Sequence, residues 1–182
     1  MTGPLLIVLG GPIGAGKDTV SRALAGRLEA DGLKTAVIGL DEIWLMLDHQ
    51  WPRRGGQHWL DARRAAAVLT DEFFRAGCDV VIINGPFVTP EERLGYTDFL
   101  RTAVRPMYVT LRVSFDESFR RVQGDSQRPA GRTRAWYLDK YERYSALAAM
   151  LDSSELSIDT DGKTADQIAA IAQLEVHRSS HP

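Results

Sequence analysis

Apolar residues in this chain fall into two kinds of run. Leu5-Leu6-Ile7-Val8-Leu9, Thr35-Ala36-Val37-Ile38-Gly39-Leu40, Asp79-Val80-Val81-Ile82-Ile83-Asn84 and Met107-Tyr108-Val109-Thr110-Leu111-Arg112-Val113 are short and nearly unbroken. Such runs predict strands buried on both faces, as in a parallel sheet sandwiched between helices. Leu156-Ser157-Ile158-Asp159 predicts a shorter fifth strand. Between the runs lie amphipathic stretches. From Gln57 to Ala76 the residues Trp59, Ala62, Ala66, Leu69 and Phe73 recur three and four apart, the period of a helix with one apolar face. Further helices are expected from about Lys17 to Ala30 and from about Thr164 to Val176, with a frayed tail over residues 177–182. Thr89-Pro90-Glu91-Glu92 has the composition of a helix start: a threonine cap, proline at the first position, and acids in the first turn. Strands alternating with helical crossovers predict one α/β domain over residues 1–176, built as three α/β/α layers. In such sheets ligands bind beyond the carboxyl ends of the strands, where Gly10, Asp41, Asn84 and Thr160-Asp161 fall.

The most specific signal is Gly10-Gly11-Pro12-Ile13-Gly14-Ala15-Gly16-Lys17-Asp18-Thr19, which follows the first strand and opens the first helix. Gly11, four residues, then Gly16-Lys17 is the spacing of a phosphate-binding P-loop. Glycines let successive backbone N–H groups approach phosphate oxygens, the helix N-terminus adds its positive end, and Lys17 supplies charge for the β- and γ-phosphates. A glycine-rich tight turn with a solvated lysine is the plainer alternative. Where P-loops usually place a serine or threonine after the lysine, this chain has Asp18, with Thr19 next. Either would serve a Mg²⁺ ion, Asp18 partly through water. Asn84 stands at the end of the third strand, where many P-loop proteins have an acid.

The 182 residues are enough for a core without staples, and 44% hydrophobic with 25% charged is ordinary for a globular domain. A net charge of −2 gives no overall attraction to duplex nucleic acid or to an anionic membrane. The single Cys78 excludes an intrachain disulfide framework and suits a reducing cytoplasm. Leu5–Leu9 is too short to span a bilayer, so neither insertion nor secretion is expected. Histidines lack metal-ligand spacing. Positive charge is local: residues 120–134 hold five arginines (Arg120, Arg121, Arg128, Arg132, Arg134) against one acid, Asp125. Gly124, Pro129 and Gly131 make the middle of that segment a loop. Guanidinium forks suit phosphate, although a solvated basic loop has the same composition.

The loop Gly10 to Thr19 resembles that of adenylate-kinase-like nucleoside monophosphate kinases. Leu40-Asp41, Val80 to Glu92 and Phe119-Arg120-Arg121-Val122-Gln123-Gly124 resemble the corresponding parts of gluconate and shikimate kinases, chloramphenicol phosphotransferase and the kinase domain of polynucleotide kinase. The resemblance implies a P-loop NTPase fold with strand order 2-3-1-4-5 and a small arginine-bearing lid at about 124–134. It also implies an ATP-dependent kinase that uses Mg²⁺ and a small-molecule acceptor, as a monomer or homodimer. A nucleoside or nucleotide kinase, an antibiotic phosphotransferase, and a nucleotide-binding regulator or slow NTPase are the alternatives. On this pattern Gly11, Gly14, Ala15, Gly16, Lys17, Asp18 and Thr19 hold the nucleotide phosphates. Arg121, Thr160 and Asp161 lie near adenine, and Arg128 and Arg132 close over the phosphates. Asp41 is the implied general base, or alternatively an N-cap for a helix beginning near Glu42. His49, Trp51, Arg53, Arg54, His58 and Trp59 fall in the region that shapes the acceptor pocket, with Trp59 also on the apolar helix face.

Overall fold

The structure, a computed structural model, describes residues 3–47, 57–124, 133–148 and 156–180. Five parallel strands lie in the order β2-β3-β1-β4-β5. They are β1 (Leu5–Gly10), β2 (Thr35–Gly39), β3 (Val80–Asn84), β4 (Pro106–Arg112) and β5 (Leu156–Asp159). This is the expected P-loop order, with the glycine loop leaving the central strand. Alternate residues of one strand feed two cores. Ile7 and Leu9 pack with Leu24 and Leu28 of α1 (Lys17–Ala30) and with Ala169 and Ala172 of α7 (Ala165–Ser180). Leu6 and Val8 pack with Ala62 and Ala66 of α3 (Gln57–Arg75) and with Tyr96 of α4 (Pro90–Thr97). Both faces of β1 and β3 are therefore sealed, which is why those runs are apolar throughout. The remaining helices are α2 (Leu40–Leu47), α5 (Phe115–Gln123) and α6 (Arg134–Ala148). Among the described residues no helix is long and apolar enough to cross a membrane.

Two boundaries differ from the sequence reading. The second strand stops at Gly39, and Leu40 begins α2. Leu40 is fully buried beneath the turn after β3, where a Cβ on Gly85 would sit 2.7 Å from Leu40 Cβ. That packing turns the chain into the helix before Asp41, which is therefore inside the first turn and not its cap. At the other end, α7 continues to Ser180 instead of fraying after Val176. His177 Nε2 lies 3.1 Å from Asp31 Oδ2, and Gln173 Nε2 donates to the same oxygen at 2.5 Å, which ties this last stretch to α1. The Thr89 cap is as expected. Its hydroxyl accepts from Glu92 N while Glu92 Oε2 accepts from Thr89 N, a reciprocal capping box.

Candidate nucleotide site

Register places the site. Gly10 pairs with Thr110, while Leu9 and Gly39 both pair with Asn84, so the glycine loop, the end of β3 and the start of α2 share one level at the carboxyl edge. The loop turns through left-handed glycines, Gly14 at φ 75° and Gly16 at φ 85°, the latter serving as the N-cap of α1. A side chain at Gly14 would be strained and obstructed, its Cβ 2.6 Å from Ser118 O and 3.0 Å from Tyr137 Oη. The first N–H groups of α1, from Lys17 onward, have no intrahelical acceptor and open at this loop. Lys17 Nζ curls back and donates to the carbonyls of Gly11 and Pro12, each at 3.1 Å. Gly11, Gly14, Ala15, Gly16, Lys17, Asp18 and Thr19 are thus gathered around one turn, with Ala15 buried and Asp18 and Thr19 exposed at its exit.

The loop is held from behind. Ser118 Oγ donates to Ile13 O at 2.6 Å, Tyr137 Oη lies 2.8 Å from the same carbonyl, and the two hydroxyls touch each other. Two protons serve three contacts, so one hydroxyl relays to the other. In a trans peptide the carbonyl and the following N–H point opposite ways. Fixing Ile13 C=O outward therefore turns Gly14 N–H inward. Beside it, Arg121 donates to Gly14 O at 3.3 Å, Thr160 Oγ1 at 3.0 Å and Thr160 O at 2.9 Å, with Nε on Glu117 Oε1 at 2.8 Å. Hydrogen bonds from Arg120 and then Arg121 hold the Glu117 carboxyl down to about 2. Asp161 accepts from Ser114 N at 3.0 Å. Arg121, Thr160 and Asp161 are thus brought together on the loop's flank, with these side-chain groups bonded to the scaffold. Arg128 and Arg132 lie outside the described residues, as do His49, Trp51, Arg53 and Arg54.

Asp41 is half-buried, and its carboxylate accepts no hydrogen bond from the described residues. Tyr144 of α6 is near: burial first, then the charges of Glu92 and Asp41, push its phenol up to about 12. Behind this group lies a buried pair that the sequence pattern does not reveal. Arg63, on α3 and 7% exposed, donates to Pro86 O at 3.1 Å and lies 3.3 Å from Glu92 Oε1. Burial lowers the Arg63 pKa against the pull of Glu92. Trp44 and Trp59 stack beside it at 4.8 Å and 8°, both partly buried, so Trp59 is a wall of this region as well as a core contact. Arg63, Tyr144, Ser118 and Tyr137 carry no motif. The nearest signal is that an arginine and two tyrosines interrupt or flank apolar faces.

Asn84 donates Nδ2 to Ser21 Oγ at 2.8 Å and lines a cleft of about 260 Å³ with Asp18, Arg22, Val37, Gly39 and Glu42. A larger hollow, about 570 Å³, lies at the opposite edge of the sheet near Gly3, Asp79 and Thr102, away from the glycine loop.

A family model described as an AAA domain matches residues 6–149. No curated protein matches the sequence significantly. Shikimate kinase from Acinetobacter baumannii, solved with shikimate, superposes with a TM-score of 0.67 at 19% identity, covering 100% of this chain and 97% of that one. A sugar kinase from a Janibacter species gives 0.65 at 18%, covering 96% and 95%. The tunicamycin resistance protein of Deinococcus radiodurans gives 0.67 at 18%, covering 95% of each chain. At these identities the likeness is one of fold, the P-loop kinase fold.

Proposed function

We infer that this chain, which belongs to the AAA domain family matched over residues 6–149, is an ATP-dependent kinase that moves the γ-phosphoryl group of ATP to a hydroxyl of a small acceptor. The observation that carries the reading is the clamped glycine loop with Lys17 curled over it, at one level with Asp41. The loop N–H groups and Lys17 hold the phosphates, with Lys17 exchanging its two loop carbonyls for β- and γ-oxygens. Asp41, half-buried and unbonded by the described residues, takes the proton of the acceptor hydroxyl as its oxygen bonds to phosphorus and the bond to ADP breaks. Most of the work is positioning and charge neutralisation.

The donors present fit a Mg²⁺ ion. Asp18 and Asn84 bring oxygens to one cleft, and Thr19 adds a hydroxyl at the loop exit. Among the described residues no three His, Cys, Asp or Glu gather, which suits an ion that keeps several waters and leans on substrate phosphates. When bound, Mg²⁺ would neutralise phosphate charge there, held by Asp18 and Thr19.

One observation favours a second reading, a nucleotide-binding regulator or slow NTPase: the ordinary hydroxyl and acid positions hold Asp18 and Asn84. ADP release with and without a panel of sugars, hydroxy acids, nucleosides and aminoglycoside- or nucleoside-type antibiotics separates them. A kinase is stimulated severalfold by its acceptor. Release that no acceptor changes would support the regulator.

A further inference from the structure

The cleft beside the first turn of α1 has a floor whose polarity can be fixed by counting protons. Asn84 ends β3 and is 4% exposed. Ser21 Oγ lies 2.6 Å from Lys17 O and 3.2 Å from Asp18 O, both of which only accept. The single proton of Ser21 is spent on them. Toward Asn84, 2.8 Å away, Oγ can therefore only accept, and the amide nitrogen must be the atom that faces it. Asn84 Oδ1 is thereby turned to the other side, toward the cleft that Asn84 lines, and no described residue donates to it. That oxygen is not sealed from the cleft, so it is open to water, a donor or a cation there.

Asp18 stands at the rim of the same cleft, exposed, in the first turn of α1. A carboxylate at this place is unusual beside phosphates, because it repels them unless a cation lies between. The opposite wall carries Glu42, 3.3 Å from Arg22 Nη2 in an exposed pair. The geometry points to a divalent-cation site in which charge and neutral ligand have traded places. Asp18 supplies the negative charge from the helix, and Asn84 Oδ1, aimed by Ser21, supplies the neutral oxygen from the strand end. The inference rests on the nucleotide-binding reading above, since Mg²⁺ would reach this cleft with the phosphates.

Binding tests it without turnover: ATP affinity by calorimetry at zero and saturating Mg²⁺, and Mn²⁺ binding by electron paramagnetic resonance in the presence of ADP. In wild type, Mg²⁺ tightens ATP binding. Asp18→Asn removes that gain and weakens Mn²⁺ roughly 10–100-fold, the range that even outer-shell partners reach. Mg²⁺-free ATP binds Asp18→Asn as tightly as wild type or tighter, because a repelling carboxylate is gone; damage to the loop would move it the other way. The charge-relocated pair Asp18→Asn with Asn84→Asp recovers most of the Mn²⁺ affinity. Asp18 is exposed, so the single variant decides the matter if the double one fails to fold. Unchanged Mg²⁺ dependence and Mn²⁺ affinity in Asp18→Asn would overturn the site while leaving nucleotide binding intact. No ATP binding by wild type at any Mg²⁺ concentration would overturn the nucleotide reading and this site with it.

Discussion

Asp41 shows how one boundary changes a residue's role. As a cap it would be interchangeable with asparagine, since both cap well. In the structure it is the second residue of α2, half-buried near Tyr144 and unbonded by the described residues, so apart from the favourable place of an acid in a first helical turn its charge has no described partner. Asp41→Asn is therefore expected to leave ATP affinity and melting temperature nearly unchanged and to cut kcat by roughly 10²–10⁴. Steady-state kinetics beside calorimetry checks this; wild-type kcat in the variant would remove Asp41 from the chemistry. Arg63 is the opposite case. Its guanidinium is committed to Pro86 and Glu92 behind the pocket, which makes it a buried strut. Nothing in the local sequence marks that commitment, because it depends on α3 meeting the capping box of α4.

The glycine loop is an element whose conformation is imposed from outside as well as by its own glycines. α5 and α6 converge on Ile13 O through Ser118 and Tyr137, and Arg121 takes Gly14 O. Tyr137→Phe keeps the ring contacts with Phe115 and Phe119 and deletes only the hydroxyl. It is expected to weaken ADP binding severalfold, the worth of about one hydrogen bond, with a larger loss in the double variant Tyr137→Phe, Ser118→Ala. Adenosine, which has no phosphates, should bind all forms alike. Equal losses for ADP and adenosine would show general damage and not loop positioning. The loop itself was legible because backbone chemistry forces glycine and lysine to fixed spacings. Its clamp was not, because partners 105 and 124 residues away in sequence leave no local trace.

At the scale of the whole molecule, the period of apolar residues was enough to read the strands, and the family resemblance supplied their order. Parallel strands buried on both faces write themselves as unbroken apolar runs, as β1 and β3 do. Strand and helix ends were less readable: Leu40 belongs to a helix because it packs beneath Gly85, and His177 stays helical through Asp31. Volume does not single out the candidate site. The larger hollow lies at the amino ends of the strands with Arg75 and Arg101 in its lining, whereas the glycine loop, Lys17 and Asp41 stand at the carboxyl ends, where the smaller one opens. Group transfer is therefore expected at that edge. With γ-³²P-labelled ATP, Mg²⁺ and the acceptor that stimulates ADP release, label should appear covalently on the acceptor, in proportion to ADP formed. Label recovered only as inorganic phosphate, with every acceptor of the panel, would contradict it.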